Sequence, residues 1–441
     1  MFSVDFSSPF VIIFIAGTVI TFLIDNLLEF LDYRSRVKHG AKIPKVLKDV
    51  PGAEDFFSQE KLDKIVRYEN TKYYWWIPEN LVSILLTLIL VIFGFYPIVF
   101  KWSCAITGYP HSFWSLFFCY LIFNVISDIP EIIISLPFSL YREFSIEKRF
   151  GFSNMTLKLW ITDEIKSTFV SIIFLLLLSL AVSFAFVFFE NSWWLILSVV
   201  VLVFVLLFQI IYPKFIAPLF NKFEPLPEGE LKEKLENLLS KIGFKSDGLF
   251  VMDASKRSGH SNAYFSGFGK SKRIVLYDTL INQMSADELV AVLGHELGHF
   301  KLKHILKNLL KSVPLVFVAS FLLFKFSQVE SLYSSFGFEI EEGTMKWVQF
   351  IGITLTTFVW QSVTEIFTPL GNIASRRHEY QADKFSAEVC GSSKDLVSGL
   401  VKLNSENLSE LYPPAIYVWW NYSHPTLVQR VQALKKAEEG K

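Results

Sequence analysis

His295, Glu296 and His299 stand in the apolar run Val290 to Phe300 and spell His-Glu-x-x-His. Residues four apart on a helix share a face, so the two imidazoles can hold one metal ion with Glu296 beside it. Two neutral imidazoles leave zinc with positions for a third ligand and a water, and a neighbouring carboxylate can take that water's proton. The chemistry this predicts is zinc-assisted hydrolysis, in which the pKa of the water falls from 15.7 to about 7 and Glu296 acts as general base. A chance pentad, or a histidine pair with a purely structural role, is the competing reading.

The elements needed to position these groups leave their own signals. Ser285 followed by Glu288 forms a capping box, so a helix starting near Ala286 is predicted, with Asp287 and Glu288 favourable in its first turn. Gly294 and Gly298 cost that helix roughly 1 kcal/mol each relative to Ala, which the close approach of another backbone would explain. The third ligand is expected downstream at Glu379, with Asp383 one turn later to accept a hydrogen bond from a ligand imidazole. His378 points about 100° away on a regular helix and fits less well.

With these residues in view, a resemblance is plain. His295-Glu296-Leu297-Gly298-His299, Ser375 to Asp383, Ser261 to Gly267 and Tyr422-Ser423-His424-Pro425 resemble the type I CaaX prenyl protease family, integral-membrane zinc metallopeptidases of the gluzincin type. The likeness runs over nearly the whole chain. It implies one Zn2+ per chain, cleavage near the C-terminus of prenylated C-a-a-X proteins, and seven helices around a large intramembrane chamber.

Composition bounds the rest. Of 441 residues, 52% are hydrophobic and 45 are Phe, which makes the chain a polytopic membrane protein, mainly α-helical. The formal net charge is zero, so no nucleic-acid partner is indicated. The three cysteines, Cys104, Cys119 and Cys390, lack metal spacing and read as buried free thiols. Apolar runs of the ~20 residues that cross a bilayer lie at 9–31, 79–101, 112–140, 166–190, 193–213, 308–327 and 346–369. Lys and Arg crowd alternate connections, which puts the N-terminus outside or in the lumen and the catalytic loop and C-terminus in the cytoplasm. The expected division is a membrane domain over 1–213, a zinc-helix domain over 214–307, spans six and seven over 308–369, and C-terminal catalytic helices over 370–441. Asp25, Glu29, Asp128, Glu131 and Glu365 fall inside spans and should face protein or water. The segment Phe144 to Ser153 reads as an interfacial connection.

An amphipathic helix through Leu231, Leu235, Leu238, Leu239 and Ile242 opens the soluble part. Strands are expected at Leu249 to Met252, Asn262 to Phe265 and Arg273 to Tyr277, followed by the zinc helix, a small zincin-like sheet arrangement. Asn262, Ala263 and Tyr264 are the candidate edge that binds an extended peptide by strand addition. The zinc helix is expected to run on through Lys301, Lys303 and His304 toward the sixth span, with His304 on the surface. Another amphipathic helix is expected from about Lys394 to Leu403. His424 is the candidate oxyanion donor, or else only a cap of the helix after Pro425, and Arg430 in that helix is a substrate-binding candidate. His39, His111 and His260 fall in loops without an identifiable partner.

The first apolar stretch follows no basic segment and reads as a retained span. Glu438 to Lys441 is neither a prenylation nor a retrieval signal. Short loops incline the location toward a bacterial cytoplasmic membrane, the eukaryotic counterpart being the ER and inner nuclear membrane. Expected partners are a peptide or protein substrate, lipidated or not, and membrane lipids. A general membrane-protein quality-control protease has the same chemistry. A seven-span transporter or receptor with structural zinc is the third reading, which Glu296 disfavours because a structural site needs no acid–base group.

Overall fold

The computed structural model describes residues 3–244, 246–266 and 273–439. Gly267 of the resembling segment and the terminal residues Met1, Phe2, Gly440 and Lys441 lie outside the described residues.

Hydropathy sets the long helices: α1 (Pro9–His39), α2 (Gln59–Ile92), α3 (Phe113–Tyr141), α4 (Leu157–Phe188) and α5 (Trp193–Ile211) come first. The soluble part then contributes α6 (Glu230–Lys241) and α7 (Ala286–Lys301). After these, α8 (His304–Phe326) returns through the membrane, and α9 (Gln349–Thr364) leads into α10 (Thr368–Cys390) across the turn Glu365–Phe367. The chain ends in α11 (Lys394–Glu406), α12 (Ala415–Asn421) and α13 (Leu427–Glu439). Among the described residues six helices are long and apolar enough to cross a membrane, and the count is seven if α9 and the start of α10, bent by 52°, are taken as one span.

Each span packs on its neighbours, and the order closes: α1 on α2, α2 on α3, α3 on α4, α4 on α5, α5 on α8, α8 on α9, and α9 back on α1. Among the described residues no span packs substantially across this ring. Only 6% of the apolar window of α2 is buried, and 6% of the corresponding stretch beginning with α5. A solid bundle would bury a whole stripe of each helix; these two stretches are largely unburied instead. One end is plugged by an aromatic core including Phe14, Phe100, Phe123, Trp193, Tyr333 and Phe350. At the other end α11 and α13 share a second core with buried residues of 47–68 and 146–152. Among the in-span acids, Glu29 accepts the Tyr417 hydroxyl at 2.7 Å, so this acid faces protein.

Several boundaries differ from the hydropathy pattern. The second span ends at Ile92, not at 101, because Gly94 turns the chain at φ 69° and Phe95–Thr107 forms a separate helix. The fourth begins at Leu157, since Lys158, Asp163 and Glu164 continue the helix beyond the apolar run. The zinc helix does not run into the sixth span: it stops at Lys301, and Lys303 adopts φ 55° before α8 starts.

Four strands, β1 (Phe223–Pro225), β2 (Leu249–Met252), β3 (Ala263–Ser266) and β4 (Arg273–Tyr277), form a mixed sheet in the order β1-β2-β4-β3. β1 had no alternating signal, because Glu224 and Pro225 are exposed on it. β2 and β4 run parallel, and β3 pairs antiparallel to β4 as an edge. Leu289, Leu293 and Leu297 of α7 are almost fully buried against Leu235 and Leu239 of α6 and Ile274 and Leu276 of β4.

The opposite side of α7 lies against α10 with almost nothing between them. A Cβ added at Gly298 would come 2.9 Å from Ala382 Cα and 3.1 Å from its carbonyl oxygen, and one added at Gly294 would come 2.9 Å from Ser386 Oγ. Backbone cannot swing away as a side-chain tip can. Gly298→Ala is therefore expected to destabilise the fold by about 1–3 kcal/mol, the usual cost of overpacking. Gly371→Ala, in the same helix layer but with open space around the added methyl, should be neutral or stabilising by up to about 1 kcal/mol. Unfolding in detergent measures both, and equal responses would contradict the α7–α10 contact.

Candidate metal centre and active site

The capping box forms in full: Glu288 N–H donates to Ser285 Oγ at 3.3 Å, and Ser285 N–H donates to Glu288 Oε2 at 2.8 Å. Glu288 also accepts from Ser398 Oγ and Lys402 Nζ, each at 2.6 Å, which ties the start of α7 to α11. With its start fixed and its leucines in the core, α7 turns His295, Glu296 and His299 toward a cavity of about 770 Å³.

Glu379 meets them from α10. Its Oε1 lies 3.2 Å from His299 Nε2 and its Oε2 3.4 Å from His295 Nε2, while the two Nε2 atoms are 3.2 Å apart. Three donor atoms, one from each residue, lie within 4.8 Å of one another. On the far side His295 Nδ1 donates to Asp383 Oδ1 at 2.7 Å, which leaves the His295 Nε2 lone pair facing the cluster. Glu379 Oε2 is buried and has no hydrogen-bond partner. Converging lone pairs and an orphaned buried carboxylate oxygen are what a divalent cation satisfies, and nitrogen–nitrogen–oxygen donors suit zinc.

The cavity wall holds the remaining candidates. Asn262, Ala263 and Tyr264 line it from the open edge of the sheet, and the Asn262 carbonyl accepts from Tyr277 N–H at 3.1 Å. His424 is exposed at its rim, with Nε2 3.6 Å from Glu379 Oε1. It does not cap α13: Thr426 does, through a Thr426–Gln429 reciprocal pair at 3.0 and 3.2 Å. Arg430 also lines the cavity, but its Nε donates to Asp383 Oδ2 at 2.9 Å and its Nη2 donates to Asp383 Oδ1.

Residues 32–222 match the CAAX prenyl protease N-terminal region of five membrane helices, and residues 225–438 match peptidase family M48. The CAAX prenyl protease 1 homolog of Dictyostelium discoideum is 37% identical, covering 94% of this chain and 95% of that protein. CAAX prenyl protease 1 of Saccharomyces cerevisiae is 33% identical over 98% of this chain and 97% of its own length. The chain belongs to the CAAX prenyl protease 1 family of M48 peptidases. The crystal structure of S. mikatae Ste24p superposes with a TM-score of 0.87 at 32% identity, covering 97% of this chain and 99% of that one. It follows that this is a multi-pass membrane metallopeptidase acting on peptide or protein substrates.

Several neighbours of the site in this peptidase were not legible as such. His304 is not a surface residue: it is 2% exposed, with Nδ1 3.1 Å from His299 Nδ1 and Nε2 2.9 Å from Gln381 Oε1. The break at Lys303 brings it back against His299. His260 likewise has partners, stacking on Phe152 at 3.9 Å with Nδ1 3.3 Å from Asn407 Oδ1. The Phe144 to Ser153 segment is thus more than a connection. Its Phe152 carbonyl accepts from Gly259 N–H at 2.7 Å, and Ser153 bridges to Ser258, so it braces the loop that leads into β3. His39 ends α1 beside Tyr412, and His111 Nδ1 lies 2.7 Å from the Tyr109 carbonyl. The free thiols Cys104 and Cys119 are not scattered in space, their Sγ atoms being 4.0 Å apart.

Electrostatics fits the chemistry. Burial, reinforced by nearby Glu379, holds the Glu296 carboxyl above its ordinary range although both imidazoles pull the other way. For His295, burial disfavours the imidazolium, but the Asp383 hydrogen bond and the adjacent Glu379 carboxylate outweigh it and push the pKa up to about 9. Because the free site favours the proton below that pH, a metal ion must displace it to reach Nε2. Zinc affinity is therefore expected to fall about tenfold for each unit of pH below 9. Chelator competition between pH 6 and 9 measures this, and a flat profile would mean that the metal-free His295 is not held protonated.

Proposed function

We propose that this peptidase hydrolyses peptide bonds near the C-terminus of prenylated C-a-a-X proteins, with zinc held by His295, His299 and Glu379. The observation that supports it best is continuity: one cavity is lined by the metal cluster, by Asn262 to Phe265 of the sheet edge, and by Gln209 and Ile305 of the membrane helices. A lipid resting among the spans and a peptide lying along β3 can share that space. CAAX prenyl protease 1 is the name of the yeast and other relatives, and the resemblance of substrate rests on that likeness together with the cavity.

In this reading the open edge of β3 offers backbone N–H and C=O groups to an extended peptide, fixing its register with little regard to side chains. Zinc, when bound, supplies Lewis acidity toward the scissile carbonyl and an acidified water. Glu296 receives the proton from the attacking water and hands it to the leaving amine, a task for which a raised pKa suits a carboxylate. His424 faces Glu379 from the exposed rim, where its ring N–H can donate to the oxyanion. Asp383 holds the proton of His295 Nδ1, and Arg430 in turn holds Asp383. Arg430 also borders the space a substrate would enter.

The catalytic unit is assembled from 214–307 and 370–441, around a membrane domain of 1–213 and spans 308–369, with the active site and C-terminus in the cytoplasm. The alternation of Lys and Arg between connections supports that orientation. A structural zinc in a transporter is less well supported, because the cluster among the described residues offers three protein donors, and a closed structural site takes four. Backbone recognition at β3 is also compatible with a broader membrane-protein quality-control protease.

Purified zinc-loaded protein and its Glu296→Gln variant, given paired fluorogenic peptides with and without a farnesyl group on the C-a-a-X cysteine, separate these readings. The variant is expected to retain zinc and lose turnover by at least about a thousandfold, the scale of general acid–base catalysis and charge stabilisation together. The wild type should prefer the lipidated peptide. Equal cleavage of both would favour broad proteolysis, and substantial activity in the variant would remove Glu296 as the base.

A further inference from the structure

A metal-binding imidazole needs a partner on its other nitrogen, both to fix the tautomer and to hold the ring plane. For His295 that partner is Asp383. Among the described residues His299 has no carboxylate there. Its Nδ1 instead meets His304 Nδ1 at 3.1 Å, and His304 Nε2 lies 2.9 Å from Gln381 Oε1.

These contacts admit a self-consistent set of protons. With the Gln381 oxygen accepting, as the amide is oriented, His304 carries its hydrogen on Nε2 and presents a lone pair at Nδ1. That lone pair accepts from His299 Nδ1–H. The His299 Nε2 lone pair is then left facing His295 Nε2 and Glu379 Oε1, each 3.2 Å away. His304 itself cannot drift: it is 2% exposed and lies flat on the His378 ring, with centroids 4.1 Å apart and planes 9° apart.

The backbone supports the same arrangement. Lys303, a non-glycine residue at φ 55°, interrupts what would otherwise be one helix from Ala286 into the sixth span. A left-handed residue of this kind is disfavoured and persists where its surroundings over-determine it. The kink turns His304 back toward the preceding turn that carries His299.

We propose that His304 is the positioning residue for the metal ligand His299, a neutral counterpart of what Asp383 does for His295, with Gln381 fixing its tautomer and His378 its plane. This rests on the metal site described above, and its test keeps the two separable. Wild type, His304→Asn, His304→Phe and Gln381→Met are loaded with zinc, and metal content, thermal unfolding and the rate of zinc transfer to a chelating dye are measured. Asn places an oxygen near the position of Nδ1 and abandons the stack, whereas Phe keeps the stack and loses the acceptor. The Phe variant is expected to release zinc on the order of 10- to 100-fold faster, and the Asn variant to stay close to wild type. Gln381→Met, which leaves His304 in place, should shift release in the same direction by a smaller factor. The opposite ranking of Asn and Phe, or equal release from all four proteins, would overturn the proposal while leaving the metal site standing. A wild type that binds no zinc would overturn both.

Discussion

Everything at this site depends on how closely two helix backbones approach. The candidate metal donors are divided between α7 and α10, and donor atoms within 4.8 Å of one another require those helices to touch. The contact runs through Gly294 and Gly298 on one side and Ser386 and Ala382 on the other. Ser386 Oγ, fully buried, donates to the Ala291 carbonyl at 2.6 Å, so the small-residue seam is also stitched by a hydrogen bond across it. Two glycines weaken α7 as an isolated helix. Tertiary packing recovers more than that, because Leu289, Leu293 and Leu297 sit in the core on its other face, each worth roughly 1.5–3 kcal/mol of burial.

The membrane determines where this pair of helices stands. α8 follows α7 after the Lys303 turn, and α10 continues from α9 after the Glu365–Phe367 turn, so both metal-bearing helices adjoin spans six and seven. Those spans are neighbours in the ring. Only a few residues of backbone separate the donor set from the ring. The bracing is not confined to this side: buried residues of 47–68 and 146–152 share a core with α11 and α13. The connections between early spans thus belong physically to the catalytic end of the molecule.

How much of this was legible depended on the distance over which each interaction acts. The start of α7, its shared His295–His299 face, β2 and β4 follow from local rules, because capping, helical period and strand alternation are written within a few residues. The glycines announced a close backbone without saying whose. Span ends were less legible, since Gly94 outranks the apolar residues that follow it and charged residues extend α4 beyond its apolar run. The largest misreading concerned His304 and His260. Both look like loop or surface histidines, and both are engaged by partners far away in sequence, Gln381 and Asn407. Nothing within a helical turn of either residue records those contacts. The assignment of His304 to a surface also followed from continuing α7 past Lys303, so one backbone dihedral moved a residue from solvent to the interior.

Charge balance explains why Arg430 is bound to Asp383 rather than left facing solvent. Glu296, Glu379 and Asp383 bring three carboxylates to the site, and Arg430 contributes the guanidinium among them. Burial alone would lower the charge on Arg430, but Asp383, Glu379 and Glu296 together keep it firmly protonated. With the imidazoles neutral, three negative charges and one positive leave two uncompensated, the charge of one divalent cation. An uncompensated buried charge costs about 3–5 kcal/mol when its partner is removed. The site is therefore neutral with a dication present and strained toward protonation without one, which is the direction in which His295 is driven. A carboxylate bound only to His295 would compete for the metal's charge. Held bidentate by Arg430, Asp383 can keep the imidazole oriented while most of its own charge is spent away from the donor cluster.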